Sequence, residues 1–430
     1  MEEREKDNAD MTFEEAIEAL WNENTRISKP GISRVRELLA LCGHPETRFP
    51  IVHIVGTNGK GSVTAMLSGV LHAAGYRTGT MMSPFRESVY DYYRIAEELP
   101  EKPNFCRAVA KVRKEAERME DAPTEFERSV AVGLLLFAGA GCDIVLLEAG
   151  MGGGNDATHV TEHSLLTIVT HMALDHTQWL GGTLAEILGE KLGIAGSGDA
   201  VLLGPNEKET VELAERIARQ RGLGLTVCHG EAQIEADGTL SYQTWKSLRL
   251  SLQGSYQRRN AVTVLNALPI LARRGFPVPA DAVRAGLSRT ELPFRFQICR
   301  QEPYLIFDGG HNPDCAAALC ESLGALPKKE PFSVVTGVMR DKAYDQMYPQ
   351  IDAFAGEYLT VTADNPRALS APELAAYLRR FGKPTEEAAD FSQAAEWIRL
   401  RLEQKKPVLV TGTLYMMQAL TAALKARQII

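Results

Sequence analysis

Three absences narrow the reading of these 430 residues. There is no basic excess, since 47 Lys and Arg stand against 55 Asp and Glu for a formal net charge of −8. That balance argues against a nucleic-acid or anionic-lipid partner. No uncharged apolar run approaches the about 18 residues that cross a bilayer, so no membrane span is expected. The first fifteen residues, MEEREKDNADMTFEE, are acidic and lack the basic, apolar character of a leader, which places the protein in the cytoplasm by expectation. The seven cysteines (Cys42, Cys106, Cys142, Cys228, Cys299, Cys315, Cys320) are odd in number and form no C-x-x-C pair. Neither a disulfide framework nor a zinc knuckle is indicated. Fixed-period repeats and low-complexity tracts are also missing, so the chain must be read element by element.

What is present is ordinary globular composition, 45% hydrophobic and 24% charged, at a length that suggests two or three domains. The run Ile51 to Val55 has strand length and β-branched content. After Ser62, the residues Val63, Met66, Leu67, Val70 and Leu71 fall at helical spacing up to Gly75. Between them lies Gly56-Thr57-Asn58-Gly59-Lys60-Gly61-Ser62. A glycine-rich turn between strand and helix presents a row of backbone N–H groups at a positive helix end, with a lysine to reach terminal phosphates. It is shorter than the usual G-x-x-x-x-G-K-[ST] spacing. Two further strands, Asp143–Glu148 and Leu165–Thr170, run into polar segments, AGMGGGNDA and HMALDHT. In a parallel α/β sheet that edge is where ligands bind. Glu148 supplies a hard oxygen and His176 an imidazole suited to a Mg²⁺ site. Thr183 and Glu186 form a capping box for a helix containing Lys191.

A second alternation begins near residue 296. YLIFD (304–308), FSVVTGVM, EYLTVTA and PVLVTG read as strands, with helices through Ala316–Leu323 and Leu414–Ala426 and a capping box at Ser370 and Glu373. The expected organisation is α/β: residues 1–295 an ATP-binding domain with a mostly parallel sheet, and 296–430 a smaller Rossmann-like domain. The boundary is set at ELPFRFQ. Asp308-Gly-Gly-His311-Asn-Pro closes the second domain's first strand.

Taken in order, GTNGKGS, LEAGMGGGNDAT, LDHTQWLGGTLAEILGEKLGI, DGGHNPDCAAAL, GVMRDK and VTGTLY resemble the folylpolyglutamate and dihydrofolate synthases of the Mur ligase superfamily, from about Asn22 to Gln418. The resemblance implies an ATP-dependent amide ligase. It adds L-glutamate to a folate or dihydropteroate carboxylate through an acyl phosphate. It implies Mg²⁺, as two ions, held by Ser83, Glu148 and His176, and a carbamylated Lys191. ATP contacts fall on Thr57, Asn58, Gly59, Lys60, Gly61, Ser62, Asn260, Arg295 and Asp308. His311 is placed toward the transferring phosphoryl group. The substrate wall falls on Gly31, Thr124, Phe126, Glu127, Asn155 and Asp156. The partners implied are small molecules alone, with a monomeric enzyme.

On the folate side the chain departs from the family. Where relatives read SPHLVRFNERI, it has Ser83-Pro-Phe-Arg-Glu-Ser-Val-Tyr-Asp-Tyr-Tyr-Arg94-Ile95, and where they read GGRLDATN it has Gly152 to His159, without the arginine and the final asparagine. Two placements of Tyr90, Tyr92 and Tyr93 follow: stacking on a pterin beside Phe126, or a solvent-facing flap. Glycine at 154 in place of a cation favours the short dihydropteroate over polyglutamylated folates. The alternatives to a folate ligase are a Mur-type ligase acting on a different carboxylate and a non-catalytic nucleotide-binding regulator. Lys60, Glu148, His176 and Lys191 together speak against the regulator, which needs no phosphoryl-transfer set.

Overall fold

Strand β1 (Ile51–Val55) is buried along its whole length, as expected of a central parallel strand with both faces covered. The computed structural model describes residues 11–21, 30–84, 88–327 and 330–430. It divides into two units, one running to Leu250 and resuming over Arg258–Thr290, the other taking Ser251–Gln257 and Glu291–Ile430. The sequence boundary at 295/296 lies a few residues beyond the later division, and Ser251–Gln257 belongs with the second unit.

In the first unit β1 is joined by β2 (Thr78–Met81), β3 (Tyr93–Ile95), β4 (Ile144–Glu148), β5 (Leu166–Val169), β6 (Ala200–Leu203) and β7 (Gly224–Val227). Their order is β3-β2-β4-β1-β5-β6-β7. All pairs are parallel except β2 with β3. From β1 the chain moves to β2 on one side of the sheet, and after β4 it crosses to β5 on the other. That reversal opens a crevice at the carboxyl ends of β4, β1 and β5. In register, Ile54 lies beside both Glu148 and Ile168, so Glu148 and the turn after Val55 share one edge.

The helix Lys60–Ala73 follows β1 and buries Val63, Met66, Leu67, Val70 and Leu71, the set the spacing singled out. Gly75, at φ 94°, sits in the turn beyond it, a conformation that costs glycine little. The helix Glu125–Ala140 starts on a capping box in which Thr124 and Glu127 bond each other's backbone N–H, and it stops at Gly141 in the left-handed region. A small antiparallel sheet is made by β8 (Gln233–Ile234), β9 (Leu240–Tyr242) and β10 (Trp245–Leu248).

The second unit holds β11 (Gln297–Gln301), β12 (Tyr304–Asp308), β13 (Phe332–Thr336), β14 (Ala355–Thr360), β15 (Thr385–Glu387) and β16 (Val408–Thr411) in the order β11-β12-β16-β13-β14-β15. Only β11 with β12 is antiparallel. Register places Asp308 beside Thr411 and Thr411 beside Thr336, so three strand ends align. The first helix here is longer than the sequence indicated, Pro313–Gly324, because Asn312 caps it and Pro313 fits its first turn. The stretch expected as one helix from Leu414 begins as a 3₁₀ turn, Leu414–Met416, and becomes α-helical over Met417–Ala426.

Candidate active site

At the carboxyl end of β1 the phosphate loop is fixed from beneath. The N–H groups of Thr57 and Asn58 both donate to His171 O at 3.0 and 3.1 Å. Thr57 Oγ1 donates to Ala173 O at 2.9 Å, and Thr170 Oγ1 to Asn58 O at 2.8 Å. Gly56 must be glycine, since its φ is 142° and a Cβ would overlap the Thr170 hydroxyl. A Cβ on Gly59 would likewise overlap the Asn260 side-chain oxygen, so Asn260, buried on the helix Gln257–Arg273, stands directly against the loop. Lys60 opens the helix Lys60–Ala73 and folds its Nζ over the loop, donating to Gly56 O at 3.1 Å and Thr57 O at 3.2 Å. Ser62 is buried in the same turn. The arrangement is a helix N-terminus with its loop amides held in place and a cation above them, the chemistry of a phosphate cradle.

Lys191, on the helix Leu184–Leu192, is buried and donates from Nζ to Gly56 O at 2.9 Å. Burial first, and then the nearby Lys60 charge, bring its amine down to about 7. Ser83, just beyond β2, donates its backbone N–H to Glu148 Oε2 at 3.3 Å, bringing that residue pair together. His176 has a left-handed backbone at the start of the short helix Thr177–Leu180, which follows the segment anchored to Thr57. A carboxylate and a hydroxyl at one strand edge, next to a phosphate cradle, are donors of the hard oxygen type that Mg²⁺ takes.

The residues expected to meet the acceptor include Asn155 and Asp156, on the loop after β4. Met151 N–H donates to Asp156 Oδ2 at 2.8 Å, and the Thr158 N–H and Oγ1–H donate to Oδ1 at 2.9 and 2.6 Å. Burial raises the Asp156 carboxyl above its usual range, opposed by these bonds. Asn155 is exposed at the tip, its N–H and Nδ2 bound by Glu190 at 2.8 and 3.1 Å, and its carbonyl accepts from Gly31 N–H at 3.3 Å. Phe126 packs so closely on Gly150 that a Cβ there would approach its ring to 2.9 Å. The side chains of Thr124 and Glu127 are spent on the start of the helix Glu125–Ala140, and Glu127 is buried. Glu127 accepts from Thr124 N–H at 2.7 Å and pairs with the guanidinium of Arg34 at 3.0 Å.

The tyrosines do not form a flap. Tyr93 is fully buried and donates to Ser129 O at 2.9 Å, while Tyr90 donates to Pro100 O and packs against Phe13 and Phe105. Both are consumed by the core, so neither is free to stack on a ligand. Tyr92 is buried with its ring edge to Phe126, centroids 6.2 Å apart. Phe85, which replaces the family histidine, lies outside the described residues. The absent arginine has a local explanation. A Cβ at Gly154 would come within 3.1 Å of the Gly193 backbone, and His159 at the other departing position bonds Gly154 O at 2.8 Å.

In the second unit, Asp308 ends β12 as a buried acceptor for Gly310 N–H at 2.8 Å, Phe296 N–H at 3.0 Å and Tyr256 OH at 2.8 Å. Burial raises its carboxyl, and the Arg295 guanidinium acts against that rise. Arg295 Nη1 also lies 3.4 Å from where a Gly309 Cβ would stand, so Arg295 and Asp308 are brought together. His311 Nδ1 is 3.2 Å from Gly309 O. Tyr256 escaped the sequence reading. Its signal was position within GSYQRRN, four residues before Asn260.

Against known proteins, the Mur ligase glutamate ligase domain is recognised over residues 294–414. The folylpolyglutamate synthase of Lacticaseibacillus casei is 30% identical over 422 residues, covering 93% of this chain and 96% of that protein. The chain belongs to the folylpolyglutamate and dihydrofolate synthase family. Among solved members of this family, Escherichia coli FolC in complex with DHPP and ADP superposes with a TM-score of 0.87 at 28% identity, covering 98% of this chain and 99% of that one. The bifunctional folylpolyglutamate synthase/dihydrofolate synthase of Yersinia pestis, complexed with AMPPNP and a Mn ion, gives 0.84 at 27% identity, covering 97% and 99%.

Proposed function

We propose that this family member is an ATP-dependent ligase that joins L-glutamate to a folate or dihydropteroate carboxylate, and that the residues gathered at the β4–β1–β5 edge perform it. The observation that carries the assignment of roles is the joint hold on Gly56 O by Lys60 and Lys191, beside the Ser83–Glu148 pair. Gly59, Lys60, Gly61 and Ser62 offer backbone amides to the ATP phosphates, Thr57 and Asn58 hold the loop in shape through their N–H bonds to His171 O, and the Lys60 side chain turns from the loop carbonyls to the terminal phosphates. Ser83, Glu148 and His176 would hold the divalent cation, which supplies charge neutralisation to phosphoryl transfer when bound. Relatives complexed with ADP, or with AMPPNP and a Mn ion, support a nucleotide and a divalent metal as ligands of this enzyme.

In the first step a carboxylate oxygen of the acceptor attacks the γ-phosphorus. The bond to the β–γ bridging oxygen breaks and ADP leaves. In the second, the glutamate amine attacks the acyl carbon, loses a proton and expels phosphate, leaving an amide. Asn260, Arg295 and Asp308 are assigned to the nucleotide and His311 to the transferring group. Gly31, Phe126, Asn155 and Asp156 are assigned to the acceptor, with Thr124 and Glu127 fixing the helix start that carries Phe126. A relative bound to DHPP supports a pterin-bearing acceptor.

Lys191, with its amine brought down to about 7, has an uncharged fraction at neutral pH that adds to CO₂, releasing one proton and giving an anionic carbamate. That supplies an anion for the second of two metal ions. The enzyme is assigned to the cytoplasm as a monomer with small-molecule partners. Among the described residues no helix is long and apolar enough to cross a membrane. The test is ADP release. It should require both a folate-type acceptor and glutamate for sustained turnover, and equal ADP release without acceptor would contradict the assignment.

A further inference from the structure

His53 lies in the middle of β1 between Val52 and Ile54, with Leu147 and Thr167 beside it in the sheet, and its side chain is entirely buried. Alternation along the strand puts it on the same face as Ile51 and Val55. Those two belong to different core clusters, Ile51 with Ala157 and Val160, and Val55 with Ala149, Leu188 and Leu192. The imidazole therefore sits at the seam between them. Its Nε2 lies 2.9 Å from Thr158 O. A carbonyl only accepts, so Nε2 carries the proton and donates. Its Nδ1 is buried without a hydrogen-bond partner. An aliphatic side chain would fill a core position in β1 without leaving an orphan acceptor, so stability alone does not account for histidine.

The bond continues into the acceptor loop. Thr158 gives both its N–H and its hydroxyl to Asp156, which also holds Met151 N–H, and Asn155 projects beside it. On the opposite flank, the helix Leu184–Leu192 holds the loop through Gly154 N–H to Glu190 O at 2.8 Å and the Glu190 carboxylate on Asn155. Glu190 thus anchors the tip of the loop, and His53 anchors its return to the sheet. Three residues after His53 the same strand becomes the phosphate loop at Gly56.

We propose that His53 is a positioning residue that ties the loop Met151–His159 to the strand carrying the phosphate loop, and so fixes where the acceptor stands relative to the phosphates. This rests on the reading that the loop receives the acceptor. Two substitutions separate the tether from mere packing. His53→Leu fills the space without a donor, and His53→Gln returns an N–H donor near Nε2. With His53→Leu, amide exchange across 151–159 should rise about tenfold and the KM for the acceptor should rise by a similar factor, while the KM for ATP stays within about twofold. His53→Gln should recover both quantities to within about threefold of the parent.

Should His53→Leu not fold, Thr158→Val removes the next link, the hydroxyl bond to Asp156, and should give the same split. Parent-like exchange and acceptor KM in the Leu variant would overturn the proposal. So would a rise in both KM values that Gln does not repair. The exchange measurement needs no substrate, so a parent that turns over no folate would contradict the functional reading while the exchange difference still decides the tether.

Discussion

Lys60 and Lys191 share an acceptor, Gly56 O, but they differ in what surrounds them. Lys60 is partly exposed on the loop it serves, and Lys191 is buried among the residues that brace that loop. Lys60→Ala should therefore abolish turnover while moving the thermal midpoint by no more than a few degrees, because no core packing is lost. Near-parental turnover in that variant would remove the phosphate-loop assignment. The same distinction separates the carboxylates. Glu148 stands at a strand end in contact with Ser83, whereas Glu127 is committed to Arg34 and to a helix cap. In sequence, the stretch Thr124 to Glu127 that the family resemblance puts on the substrate wall is also the T-x-x-E of a capping box, and the pattern alone does not say which way the glutamate faces. Tyr90 and Tyr93 were misleading for a related reason. An aromatic cluster in an altered loop looks alike whether it faces a ligand or the interior, and only the packing of Phe13 and Phe105 around it decides.

At the level of elements, β1, β4 and β5 were legible because each is a short apolar run leading into a polar or glycine-rich turn, and parallel sheets gather such ends on one edge, whereas β2, the four residues Thr78–Met81 that lead to Ser83, carries too little apolar pattern to stand out. Less legible was the membership of Ser251–Gln257 in the second unit, since seven residues with only Leu252 and Tyr256 apolar or aromatic carry no periodicity to assign them. Their anchor is tertiary, Tyr256 on Asp308 and Ser255 on Ser322. Elsewhere in that unit, Glu357 on β14 shows what one charge can hold. Despite partial burial, bonds from Arg401, Ser333 and Lys406 keep its carboxyl at about 2. The folded state binds the proton less readily than the unfolded one, so this contribution is present above about 4.5 and disappears as pH falls toward about 2. Glu357→Gln should melt below the parent at neutral pH, and the two curves should converge on acidification. A gap that persists unchanged to about pH 2 would assign the loss to packing instead.

Across the whole molecule, each of the two α/β units places residues assigned to the reaction at the carboxyl edge of a mostly parallel sheet, and on the proposed reading the choice of acceptor falls to a few loop residues. The wall proposed for the acceptor rests on Phe126, Asn155 and the Asp156 turn, and at position 154 glycine lies against the Gly193 backbone. The most direct test of the account is product mass after incubation with ATP, Mg²⁺ and glutamate, run in parallel on dihydropteroate, tetrahydrofolate and unrelated carboxylates. The predicted result is one added glutamyl residue on dihydropteroate, with weaker extension of glutamylated folates. Glutamate joined only to an unrelated acid, with neither pterin substrate extended, would contradict it.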